Sequence, residues 1–347
     1  MNKITKELSN RIVVINYILC FMIVCMHSLN KEVFNIHSGG VFIFQKIIDS
    51  ITASAVPCFF LLSGILFYRN AEFKNIGRKL KGRMKSLCIP YVFWNAAFFA
   101  IYAILSRIDG ISNYLNIKLV GIGPYDIFHA IIKADFTPLW FVKNLIVYSI
   151  LSPIILVTLY KKNKVINMIL YLIMIAIAVG SKSKYGSAIY WMPVYYMGCY
   201  IGYNKFDKIN DICLMEKTKL HKYNNIYIYI YILMYVLIII SIIVYWDKVI
   251  YIYRLIVPII LLRILLTINV KKEPKWYMKI SFFIYCTHQF FCECIKVIYY
   301  KNIGGGSVNS MICYFITPII VVFILSCIAW FMQKYFHKIY TIVSGGR

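Results

Sequence analysis

Residues 16–30 read NYILCFMIVCMHSLN, an almost unbroken apolar run with a histidine, His27, close to its far end. Extended back to residue 12, the run is long enough to cross a hydrocarbon core of about 30 Å at roughly 1.5 Å per helical residue. His27 then falls about 15 residues, or roughly 22 Å, from the basic start of the span, in the outer half of a bilayer. An ionisable side chain inside such a span is costly and by default marks function. Two readings stand at this point: an interfacial imidazole reaching for the outer headgroups, or a group placed there to do chemistry.

The rest of the chain shares this character. It is 61% hydrophobic and 15% charged, with mean hydropathy +0.72, a composition that excludes an ordinary soluble domain of 347 residues. Ten candidate spans are drawn at 12–30, 47–68, 87–105, 139–159, 165–180, 188–203, 226–246, 249–268, 279–299 and 311–333. The expected fold is all-α: a polytopic transmembrane helix bundle of about ten spans, one domain over 1–347 with no separate soluble domain.

Charge distribution orients it. The balance of 38 basic to 13 acidic residues would suggest nucleic acid in a soluble protein, but here the charges lie between the spans and no nucleic-acid partner is expected. Lys3, Lys6 and Arg11, the stretch RNAEFKNIGRKLKGRMKS at 69–86, KKNK at 161–164, the lysines of 204–225, KKEPK at 271–275 and the last residues alternate with nearly charge-balanced connections such as 106–138. By the positive-inside rule these segments, and both termini, are cytoplasmic. Membrane lipids are the expected partners, with a homo-oligomer left open, and the Ile-, Lys-, Asn- and Tyr-rich composition points to a low-GC bacterium and so to its plasma membrane. Most of the 11 cysteines sit in or at the ends of apolar runs and read as small hydrophobes. CEC at 292–294 is not a zinc spacing, and His288 with Cys292 makes only two ligands, so no metal is expected. Ser63 and Gly64 read as small residues that let helices approach closely.

Four segments bear on chemistry: SAVPCFFLLSGILFYRN at 54–70, GRKLKGRMKSLCIPYVFW at 77–94, TPLWFVKNLIVYSILSP at 137–153 and FFIYCTHQFF at 282–291. With a histidine near the end of the first span, their order resembles the acyltransferase family 3 proteins, bacterial multi-pass membrane O-acyltransferases, over essentially the whole chain. The resemblance implies transfer of an acyl group, usually acetyl, from cytoplasmic acyl-CoA (acetyl-CoA) to a hydroxyl of a surface polysaccharide or a lipid-linked glycan acceptor. It maps the family histidine onto His27, the basic residue before PY onto Arg83, and the charged residue after LWF onto Lys143. One position departs: the family commonly has Arg eleven residues before its His, and this chain has Asn16, which shares a helix face with His27.

The residues themselves allow these roles. Phosphates of coenzyme A need cations, and Arg69, Arg78, Lys79 and Arg83 supply them; the same charges equally suit a topogenic segment held by anionic lipids. His27 suits a general base, or a nucleophile forming an acyl-histidine. Lys143 is read either as snorkelling to the outer surface or as steadying an oxyanion or sugar. Trp140 is read as an interfacial belt residue or a sugar platform, and His288 as a structural hydrogen-bonder or a lining of the substrate cavity. Glu293 either pairs with Lys296, three residues on, or orients the His27 imidazole. Two rival functions stand beside acyl transfer. One is a glycan-precursor transporter or flippase, for which broken helices and paired half-repeats are the signature and are not seen in the sequence. The other is an inactive family member acting as a scaffold, which Asn16 would suit.

Overall fold

A computed structural model describes residues 4–108, 123–134, 137–161, 163–181, 185–207, 209, 221–270 and 272–346. Much of the expected 106–138 and 204–225 connections lies outside the described residues. Among the described residues the chain is helical, without strands. In order the helices are α1 (Lys6–His27), α2 (Gly39–Thr52), α3 (Ala55–Tyr68), α4 (Phe73–Leu105), α5 (Pro124–Lys133), α6 (Trp140–Ile150), α7 (Ser152–Tyr160), α8 (Lys164–Gly180), α9 (Ala188–Asn204), α10 (His221–Leu265), α11 (Trp276–Lys279), α12 (Ser281–Ile303), α13 (Ser307–Tyr335) and α14 (His337–Val343).

By length and hydropathy, Lys6–His27, Gly39–Tyr68, Phe73–Leu105, Tyr227–Tyr245 and Ser307–Tyr335 are each able to cross a membrane. Outer faces agree, both on these helices and on the shorter apolar α8. Side chains such as Ile169, Leu172 and Ile173 on α8, Leu233 and Leu237 on α10, and Ile319 and Phe323 on α13 stand exposed. Apolar faces this continuous would be costly in water and are at home in lipid.

The elements differ from the ten expected segments in two ways. The basic stretch read as a connection is helical, because α4 runs unbroken from Phe73 through Arg78, Lys79 and Arg83 into its apolar half; Lys and Arg are good helix formers, and hydropathy does not register that. The spans read at 226–246 and 249–268 agree with the structure: within α10 two helices meet at Tyr245, where the backbone leaves helical geometry. The span read at 139–159 is two helices, α6 and α7, bent by 57°. Pro153, in the first turn of α7, has no N–H to continue the ladder of α6, which places the break there. The chain therefore does contain a broken apolar helix, contrary to the sequence reading.

Contacts divide the chain into two compact units. In the unit built from Met1–Met22, Lys46–Lys81 and Val147–Lys279, α3 lies backbone to backbone on α9. Added Cβ atoms would strike the carbonyl of Leu61 at Gly198, that of Ile65 at Gly202, and that of Tyr195 at Gly64. Gly198 and Gly202 form a GxxxG pair, the spacing that puts two side-chain-free positions on one helix face. Aromatic rings close the contact: Phe60 stacks on Trp191 at 5.2 Å and Tyr148 on Tyr195 at 4.5 Å. Arg11, fully buried, pairs with Glu7 at 2.8 Å and donates to the Leu266 carbonyl.

In the unit built from Ile23–Gln45, Gly82–Ile146 and Ile280–Arg347, α12 packs along α13. A buried amide clip ties the chain beyond α1 to the start of α13. Gln45 Nε2 donates to Asn30 Oδ1 at 2.7 Å and to Ser310 Oγ at 3.0 Å, and Asn30 Nδ2 donates to the Ser310 carbonyl at 2.9 Å. Gln45 Oε1 accepts from the backbone N–H groups of Asn30 and Lys31. The C-terminal turn is anchored by the Trp94 indole, which donates to the Val343 carbonyl at 3.0 Å.

Candidate active site

Helix α1 ends at His27, and the residues that follow fix that end. Ser28 is buried, and its Oγ donates to the Val24 carbonyl at 2.8 Å while touching Cys292 Sγ at 3.8 Å. The amide clip at Asn30 and a left-handed Asn35 (φ 52°) then turn the chain back. His27 is thus held at a helix end, half-buried, against the face of α12.

That face carries His288, Cys292 and Lys296 at i, i+4 and i+8, one stripe of a helix. The rings of His27 and His288 meet edge to face, with centroids 4.9 Å apart. His288 is fully buried. Its Nδ1 lies 2.8 Å from the Tyr285 carbonyl and 3.2 Å from that of Ile284. Carbonyl oxygens only accept, so Nδ1 carries the proton and Nε2 presents a bare lone pair. That Nε2 is buried without a hydrogen-bond partner, a costly state that asks for a donor.

One turn beyond Cys292, the Lys296 ammonium is almost fully buried, with Glu293 Oε1 at 2.9 Å and the Leu29 carbonyl at 3.3 Å. A cation thus sits two residues past His27 along the returning chain. Tyr285 completes the wall: its hydroxyl donates to the Pro138 carbonyl at 2.5 Å, and its ring meets Phe141 edge-on at 5.9 Å, beside Trp140 at the start of α6.

Of the residues read from the sequence, His27 and His288 are in contact, and Glu293 joins them through Lys296. Lys143 turns elsewhere, its ammonium donating to the Lys133 carbonyl at 3.3 Å. Asn16 lies eleven residues back along α1, about 16 Å along its axis. Arg69 and Lys79 come together, with Lys79 Nζ donating to the Arg69 carbonyl at 2.7 Å, and one guanidinium nitrogen of Arg69 is buried without a partner. Desolvation draws Arg69 below its ordinary pKa. Arg78 is exposed, and Arg83 lies further along the same helix. Sequence reasoning treated Lys296 only as the ion-pair partner of Glu293; its spacing from His288 was the available signal. Among the described residues no group of three or more His, Cys, Asp or Glu side chains stands ready to hold a metal.

Long apolar helices and lipid-suited outer faces define the class: an integral membrane protein, here with two imidazoles in contact, one of them fully buried. A family model described as an acyltransferase domain, that of the acyltransferase 3 family, matches residues 12–331, nearly the whole chain. The chain belongs to that family, whose activity in general terms is acyl transfer at a membrane. Neither the curated proteins nor the solved structures gave a match.

Proposed function

We propose that the protein is a plasma-membrane O-acyltransferase that moves an acyl group, acetyl in the first instance, from acyl-CoA to a hydroxyl of a surface polysaccharide or lipid-linked glycan. The observation that supports this reading best is the His27–His288 contact with a bare, buried Nε2 on His288. His27 takes the proton of the acceptor hydroxyl as that oxygen bonds to the thioester carbonyl carbon. The tetrahedral oxyanion collapses, the C–S bond breaks, and the coenzyme A thiolate leaves and takes the proton back from the imidazolium. While His27 is charged, a turn of its ring would bring the second N–H to the unpartnered His288 Nε2, which would then accept it. A positioned base of this kind contributes about 10²–10⁴-fold. Lys296 supplies positive charge for the oxyanion, and Glu293 holds that ammonium in place. Arg69, Arg78, Lys79 and Arg83 are assigned to the phosphates of the donor, and Trp140 and Lys143 to the acceptor side. Asn16 is able to hydrogen-bond but carries no charge for a phosphate, which leaves neutralisation to the arginines and lysines of 69–83.

Purified protein in lipid nanodiscs, given radiolabelled acetyl-CoA and a panel of glycan acceptors, tests this reading. Acceptor-dependent release of free coenzyme A with label on the sugar supports it. Label that stays on acetyl-CoA with every acceptor counts against it. A second reading, transport of a glycan precursor, draws on the 57° break between α6 and α7, since broken helices commonly line transport sites; flux of a labelled precursor into proteoliposomes without turnover would favour it.

A further inference from the structure

Helices α8 and α9 enclose a half-open groove of about 200 Å³ that the acyl-transfer chemistry does not use. Its two ends differ in character. One end carries Lys164 and Tyr200 above a buried polar floor, in which Tyr196 donates to Asn167 Oδ1 at 2.5 Å and also meets Thr158 Oγ1 at 3.1 Å. The other end is walled by Met168, the Tyr171 ring and Met197, with the Tyr171 hydroxyl turned onto the Met197 sulfur at 3.7 Å. Lys164 to Tyr171 is two helical turns, about 10 Å along the axis.

The flanks of α8 are the exposed apolar side chains Ile169, Leu172 and Ile173, so the groove opens toward hydrocarbon. Its size falls short of the roughly 300–1,000 Å³ of a site that engulfs a whole small molecule, and suits a segment of one chain. Lys164 stands exposed at the start of α8, with Lys161 three residues before it, and makes no ion pair among the described residues. A cation over hydroxyl and amide groups at one end, with soft thioethers and an aromatic ring at the other, matches the order of phosphate, glycerol ester and methylene chain in a lipid.

We infer that this groove is a resident site for an anionic phospholipid, its phosphate on Lys164 and one acyl chain lying along Met168, Tyr171 and Met197. The lipid would complete the packing of α8 against α9 where protein contact is missing, independently of the assigned catalysis.

The test uses the full chain in nanodiscs containing phosphatidylglycerol that carries a diazirine in mid-chain, with adducts mapped by peptide mass spectrometry. Adducts concentrated at 168–171 and 196–197 are expected. They should fall at least about fivefold in Lys164→Glu, or when a phosphatidylcholine probe replaces the anionic one, since one basic residue at a membrane surface contributes about fivefold. Met197→Phe, which keeps the apolar volume, should retain head-group selectivity, and unchanged melting of each variant shows that the fold is intact. Adducts spread evenly over Ile169, Leu172 and Ile173, or labelling indifferent to head group, would overturn the inference. So would preferential labelling of the groove by a photoreactive acyl-CoA, which would make it a donor pocket instead.

Discussion

His288 donates its Nδ1–H to the backbone of its own helix and leaves Nε2 bare, while the ring of His27 rests edge-on against it with the ring planes 69° apart. One imidazole is thereby fixed in tautomer and orientation by its backbone. The other stands at a half-buried helix end.

Removing the acceptor on His288 should therefore slow acyl transfer without abolishing binding. A hydrogen bond to a charged group contributes about 1.5–3 kcal/mol, so His288→Ala should lower kcat by roughly 10–100-fold with little change in KM for the donor. His288→Gln retains an acceptor oxygen near the Nε2 position and should recover part of the loss. Equal defects in the Ala and Gln variants would point to packing alone.

The amide clip should act on the same centre through position. Gln45→Leu would leave the N–H groups of Asn30 and Lys31 without their acceptor. Each buried orphan costs about 1–3 kcal/mol, so a lower melting temperature is expected together with a fall in kcat, because His27 lies three residues before Asn30. Gln45→Glu keeps that acceptor and should lie between the two. A drop in stability with kcat untouched would separate the clip from the site.

Glycine substitutions should show opposite signs in two places. Gly198→Ala sets a methyl group against the Leu61 carbonyl and should destabilise by about 1–3 kcal/mol or more. Gly77→Ala, in α4 with open space around it, should stabilise by about 0.5–1 kcal/mol. Melting curves in one detergent provide the comparison. Loss of stability at Gly77 or tolerance at Gly198 would contradict the packing described.

Apolar runs and charge placement made the class of fold legible, because lipid imposes both on any sequence that crosses it. Gly64 was likewise readable as a packing position. Helix continuity was not: Phe73 to Arg83 reads as a connection to hydropathy, yet it is helical, and Pro153 breaks a run that looks uniform. At the site, His27 stood out as a candidate from its place near the end of an apolar span. The partnership with His288 was not, since no local pattern reports that two residues so far apart in the chain touch. Lys296 was read only as the ion-pair partner of Glu293, and only burial shows that its ammonium lies inside the protein.

The role of His27 is tested most directly by coenzyme A release from acetyl-CoA, in the presence of the acceptor, by purified His27→Ala with a melting temperature matching the wild type. Turnover reduced by about 10²–10⁴-fold is expected. Turnover within twofold of wild type would contradict His27 as the base.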